Sequence, residues 1–203
     1  VLGGERRGVR LALIVTGLAL AVSASGCSTS DSTGASGTTD TPKFAGDYER
    51  TCTDSVGFPR AAAYVKGAKG VHPAILLTKD VSKSWINQQP SEWPKNWTIG
   101  YPTDLSTAQL VVCYERTNAI STGKTCEMED SKTKEPFTLT MYNTDYRLRV
   151  LESRTGKVVY EKRGQAKGTD CPTFAYGGDD RTKYYTDLRP TDYRGMVKPY
   201  IAP

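Results

Sequence analysis

Between residues 73 and 161 the apolar positions recur with the period of strands rather than of helices. Residues 73–77, Pro-Ala-Ile-Leu-Leu, form a short unbroken apolar run behind a Gly and Pro break, the pattern of a buried strand. Residues 108–115 predict another strand. Residues 125–128 predict its short partner across a Thr-Gly-Lys turn, and residues 137–142 a further strand. The clearest unit is residues 146–152, then Ser-Arg-Thr-Gly, then residues 157–161. Tyr146, Leu148 and Val150 alternate with Arg147 and Arg149, which predicts one buried face and one wet face. Gly156 supplies the positive φ of a short hairpin loop. Helical signals are confined to residues 59–66, which open on Pro59, and residues 191–198, which are expected to stop before Pro199. The pattern predicts a mainly β fold, with α+β as the neighbouring class. The expected architecture is an antiparallel sheet or sandwich with one or two short helices packed against it.

The N-terminal pattern is different. Arg6, Arg7 and Arg10 form a basic head, and residues 11–22 follow without a charge. That run falls short of the roughly 20 apolar residues needed to span a bilayer core. Basic head, short apolar stretch and small residues together make an export signal. The last four positions, Ala24-Ser25-Gly26-Cys27, resemble the lipobox of bacterial lipoproteins. The family prefers Leu, Val or Ile where Ala24 stands. The resemblance implies cleavage before Cys27, a diacylglycerol on its sulfur and acylation (palmitate) of the new amine. Such chains would hold a soluble domain stably at a membrane, each buried CH₂ contributing about 0.8 kcal/mol. A chain opening on Val1 suggests an alternative start codon or a shortened N-terminus. The expected organisation is a signal peptide over 1–26, a lipid-anchored Ser/Thr/Gly tether over 27–43 and one extracytoplasmic β-rich domain over 44–203. The tether has too little apolar surface to repay its ordering entropy.

Charge narrows the partners. The chain of 203 residues carries 27 Lys and Arg against 22 Asp and Glu, a formal +5. The two signs are interspersed, which describes a solvated surface rather than a nucleic-acid footprint. Beyond Cys27 stand Cys52, Cys113, Cys126 and Cys171, an even set that argues for two disulfides in an exported chain. Cys113 and Cys126 lie at corresponding ends of two strand-like runs, so they are expected to pair, leaving Cys52 with Cys171. No CxxC spacing exists and His72 is the sole His, which argues against zinc. No cofactor motif is present.

The candidate chemistry is sparse. Residues 118–125 nearly spell a phosphate-binding loop, but Asn118 replaces its first Gly, and a hairpin turn is the better reading. Ser121 with Lys124, and Ser131 with Lys134, match the Ser-x-x-Lys of penicillin-interacting enzymes, without the Lys-Thr-Gly and Ser-Asp-Asn elements that family needs. His72 lacks a recognisable nucleophile and orienting carboxylate. Asp179-Asp180 lacks the spaced ligands of a calcium loop. Trp85, Trp93 and Trp97 fall in one Pro-containing segment. It presents flat apolar rings to a sugar or peptide, or it folds them down as a cover. Large aromatics are mostly buried, which favours the cover. The segment is still the leading binding candidate.

Residues 61–65, 71–77, 109–115 and 154–159, with Cys126 and Cys171-Pro172, resemble a group of uncharacterised exported bacterial proteins, many of them actinobacterial. The resemblance carries no activity. It implies only the disulfides and the span of the domain. The expected function is therefore that of a membrane-anchored, non-enzymatic domain that binds a cell-envelope glycan or protein. The alternatives are an envelope hydrolase and a structural wall-associated protein.

Overall fold

The computed structural model describes residues 40–80, 83–100, 102–174 and 182–203. The expected signal segment, Cys27 and the expected tether up to residue 39 lie outside the described residues, as do Asp179 and Asp180. The packed chain begins slightly before Phe44: Pro42 is buried, and the Asp40 carbonyl accepts from the Arg60 amide at 3.2 Å.

The fold is mainly β, a six-stranded open sheet with two short helices. The strands are β1 (Ala74–Lys79), β2 (Ile86–Gln88), β3 (Leu110–Glu129), β4 (Pro136–Glu152), β5 (Val158–Ala166) and β6 (Lys183–Thr186). The helices are α1 (Glu49–Asp54) and α2 (Pro190–Ile201). The order across the sheet is β2-β1-β3-β4-β5, with β6 beside β4. The sheet is mixed rather than wholly antiparallel. β1 runs parallel to β3, with Ala74 opposite Leu110 and Lys79 opposite Glu115, and β6 runs parallel to β4. Parallel neighbours need a crossover connection, and the Trp-bearing segment between β1 and β3 supplies it.

Four runs that read as separate short strands merge into two long ones. No turn forms at Thr122-Gly123-Lys124. β3 passes through it with an irregularity between Ser121 and Thr125, where Gly123 takes φ +75°. The chain reverses instead at residues 130–135. There the Asp130 carboxylate accepts from the amides of Lys132 (2.8 Å) and Thr133 (2.9 Å), and Lys134 takes φ 63°. An Asp bonding its own backbone two residues on is the chemistry of such a turn.

This correction also overturns the expected disulfides. Cys113 and Cys126 lie on one extended strand, and at about 3.3 Å per residue they stand about 40 Å apart. The bonds formed are Cys52–Cys113 and Cys126–Cys171.

The β4–β5 hairpin forms as its alternation predicts, with Gly156 at φ +73°. A Cβ on Gly156 would stand 2.0 Å from the Ser55 carbonyl oxygen, so close approach as well as φ requires glycine there. Arg149 departs from the expected wet face. It is 5% exposed, and its guanidinium donates to the Cys52 carbonyl, because α1 packs over this side of the sheet. Residues 59–66 form no helix. Their backbone bonds outward, the Ala62 amide to Ser106 O (2.7 Å) and Ala61 O to Arg154 Nε (2.8 Å). The C-terminal helix does form and runs past Pro199 to Ile201. Pro190 occupies its first turn, and the Asp192 carboxylate caps the Arg189 amide at 2.8 Å.

Both faces of the sheet centre are covered. Leu76, Leu110, Val112, Leu148 and Val150 point to one face, beneath Trp93, Trp97 and the Tyr193, Val197 and Ile201 side of α2. Ile75, Leu77, Val111, Cys113 and Leu151 point to the other, beneath Tyr48, Cys52, Phe58, Trp85 and Leu105. Successive residues of a strand serve opposite faces, so continuous apolar runs such as 74–77 and 110–114 fit a sheet buried on both sides.

Candidate functional site

The three Trp residues do not form an exposed aromatic face. Trp85, Trp93 and Trp97 are 8%, 3% and 5% exposed. The crossover that carries them must lie against the sheet, and it drives their rings into the two cores. Trp93 packs edge-on against Trp97 (5.8 Å) and Tyr193 (5.9 Å), and its indole N–H donates to the Pro190 carbonyl at 2.9 Å. Trp85 lies on the opposite face and donates to Thr53 Oγ1 at 3.2 Å. With each indole donor satisfied internally, these rings clamp the helices to the sheet.

His72 is 4% exposed and bonded at both ring nitrogens. Nδ1 lies 2.7 Å from Gln109 Oε1, Nε2 lies 3.0 Å from Ala68 O, and Tyr64 stands edge-on at 5.0 Å. A general base needs a free lone pair aimed at a substrate proton; this ring instead joins a loop to the start of β3.

The polar clusters that do assemble were not among the sequence candidates. Asp187 sits between β6 and α2 and gathers donors from two strands, β3 and β4. It accepts from Tyr114 Oη (3.2 Å), Thr144 Oγ1 (3.1 Å) and Arg116, whose guanidinium also reaches Asp80 at 2.9 Å and covers the Tyr185 ring at 4.6 Å. Tyr114 Oη in turn accepts from the Leu188 amide at 3.2 Å. Burial, and then the charge of Asp187, push the Tyr114 hydroxyl well above the ordinary tyrosine range, so it stays a neutral donor. Tyr114 also stacks on Tyr193 at 5.0 Å. The cluster pins the chain entering α2 to the sheet.

On the opposite face Glu115 pairs with Arg147 and lies 3.8 Å from Arg149. Burial, followed by the like charge of Arg147, lowers the Arg149 guanidinium's affinity for its proton, and Glu115 offsets this. Arg149 Nε is buried without a hydrogen-bond partner. Glu161 and Arg163 extend the row onto β5, their ion pair closing at 2.8 Å. Only the register of three neighbouring strands brings these residues together, so sequence spacing carries no signal for them.

The remaining candidates lie on the outer part of β3 and its turn. Ser121 Oγ accepts from the Gly123 amide, Lys124 Nζ donates to the Thr169 carbonyl, and Lys134 pairs with Glu129 at 3.3 Å. No Ser–Lys pair forms there. Among the described residues no three His, Cys, Asp or Glu side chains converge as a metal-holding group, and no helix is long and apolar enough to cross a membrane. Two disulfides indicate an oxidising, extracytoplasmic environment.

No family model, curated protein or solved structure matches the chain.

Proposed function

We propose that this chain is an exported domain, anchored by lipid on Cys27 to the outer face of a membrane, that holds a cell-envelope glycan or protein rather than transforming a substrate. The observation that carries the reading is the pair of disulfides, each joining segments far apart in sequence. Such bonds persist in oxidising compartments and not in a reducing cytosol. They agree with the export signal read from residues 1–26. The engagement of His72 and Asp187 in internal bonds supports holding over chemistry. With the Trp rings inside, the contact surface moves to the outer half of the β3–β4 hairpin, where Ile120 is 48% exposed among Thr, Ser and Lys side chains.

Membrane fractionation of cells expressing wild type and Cys27→Ala tests the anchor. Wild type sediments with membranes and detergent releases it; the variant is found in the soluble extracytoplasmic fraction. Retention of Cys27→Ala on membranes would refute the anchor. In the same Cys27→Ala background, co-sedimentation with isolated cell envelopes should fall on adding Ile120→Asp. Equal sedimentation would remove the hairpin as the contact surface.

A further inference from the structure

The two disulfides lie in different surroundings. Cys52 and Cys113 are 0% and 1% exposed, enclosed by Tyr48, Phe58 and Ile75 in the core beneath α1. Cys126 is also covered, at 2%, but it belongs to a small cluster with Leu139 and Met141, and its partner Cys171 is exposed at the surface. Cys171 sits in the connection from β5 to β6. Among its described residues, that connection is also held by the Gly168 amide donating to Asn143 Oδ1 (3.1 Å), by Lys124 Nζ donating to Thr169 O and by the Thr182 carbonyl accepting from the Thr140 amide at 2.7 Å. Beyond it, β6 pairs with β4 from Thr140 to Asn143, and its far end is fixed by the Asp187 cluster.

We propose that Cys126–Cys171 is a site of thiol–disulfide exchange, entered at the Cys171 sulfur by an external dithiol, and that opening it loosens the β6 side of the hairpin while the sheet centre stays folded. Access selects the sulfur attacked, because exchange needs a thiolate in line with the S–S bond. A thiolate of the dithiol bonds to Cys171 Sγ. The Cys126–Cys171 bond breaks, and its electron pair leaves with Cys126 Sγ, which takes up a proton. The second thiolate of the dithiol then attacks its own sulfur in the mixed disulfide and expels Cys171 as a thiolate, which is protonated in turn. The protein disulfide gains two electrons and the dithiol becomes a disulfide. Cys52–Cys113 offers no comparable approach without opening the core.

The consequence is local. β6 is a short strand whose far end is fixed through Asp187, and the connection that leads to it is cross-linked to β3 at Cys171. Reduction removes that cross-link and leaves only non-covalent contacts to hold the described part of the connection. The core that encloses Cys52–Cys113 lies at the other end of β3 and β4 and keeps its own cross-link.

The test uses the full chain carrying Cys27→Ala, so that only four cysteines report. Graded dithiothreitol without denaturant is followed by alkylation and peptide mapping. Cys126 and Cys171 should label about tenfold or more faster than Cys52 and Cys113, as expected for a locally accessible bond beside a globally protected one. Amide exchange should rise in β6 and outer β3 while β1 remains protected. Simultaneous labelling of all four cysteines, earlier labelling of Cys52 and Cys113, or no labelling at all would overturn the proposal. Cys126→Ser/Cys171→Ser should show the exchange pattern of the reduced protein. A pattern equal to the oxidised wild type would sink the loosening.

Discussion

The same two strands, β3 and β4, build both the sheet centre and the outer hairpin, yet the two regions are held differently. At the centre, β1 and β5 flank the pair, and each face is covered, one by α2 with Trp93 and Trp97, the other by α1 with Trp85. Beyond Glu115, β3 pairs only with β4 among the described residues, and the apolar cluster shrinks to Cys126, Leu139 and Met141 with Met128, Phe137 and Tyr184 at its margin. A two-stranded ribbon is marginal in water by itself. The hairpin therefore leans on β6 and on Cys126–Cys171. Chain entropy hardly separates the two disulfides: separations of 61 and 45 residues each correspond to about 4 kcal/mol of loop closure. What separates them is the packing around the sulfurs. Stability in this fold follows the segments that cross the sheet, not the length of the strands.

The sharpest way to break the comparison is to remove each cross-link in turn. Cys52→Ala/Cys113→Ala should cost about 4–5 kcal/mol by urea titration, from lost loop closure plus a buried void. A loss below about 1 kcal/mol would mean the centre does not depend on its disulfide. Trp93→Ala removes a ring that joins the crossover to α2 and should cost about 3–5 kcal/mol. Phe137→Ala, at the hairpin margin, should cost under about 1.5 kcal/mol, and equal costs would erase the distinction.

High pH probes the centre selectively. Burial pushes the hydroxyls of Tyr48, Tyr114 and Tyr193 well above their ordinary value. The folded state thus favours their neutral forms. That stabilisation is complete below the unfolded tyrosine value of about 10 and is lost as pH rises above it, by about 1.4 kcal/mol per pH unit for each group. The urea midpoint should fall steeply between pH 10 and 11 on the order of these slopes; a flat midpoint would contradict the burial of all three.

The smallest expected effects compare two strained turns. Ser55 and Lys134 are non-glycine residues at φ 58° and 63°, the first ending α1 and the second in the hairpin turn. Replacing either with Gly relieves the left-handed penalty, worth up to about 1 kcal/mol. Ser55→Gly should raise the global thermal midpoint. Lys134→Gly should slow amide exchange at residues 128–138 without moving that midpoint.

The alternation in residues 146–161, the Gly at 156 and the apolar run after Pro73 were sufficient to place the β4–β5 hairpin, a buried first strand and a mainly β chain, because strand period and turn chemistry are local properties. The same locality misled at Thr122-Gly123-Lys124. A Gly with positive φ serves a turn or an irregularity inside a strand equally well, and only the pairing with β4 decides between them. From that one choice followed the disulfide partners. The Trp segment and Arg149 show the same limit: ring and guanidinium burial depended on which segment crossed which face of the sheet.

The sequence by itself determined the number of cysteines available to bridge and the strand-forming character of the domain, since each rests on residue type and near-neighbour spacing. The tertiary structure decided which cysteines meet, that the sheet is mixed, that all three Trp rings turn inward and that Asp187 collects Tyr114, Arg116 and Thr144. Those outcomes depend on contacts between residues tens of positions apart, whose free energies exist only once the chain has closed on itself.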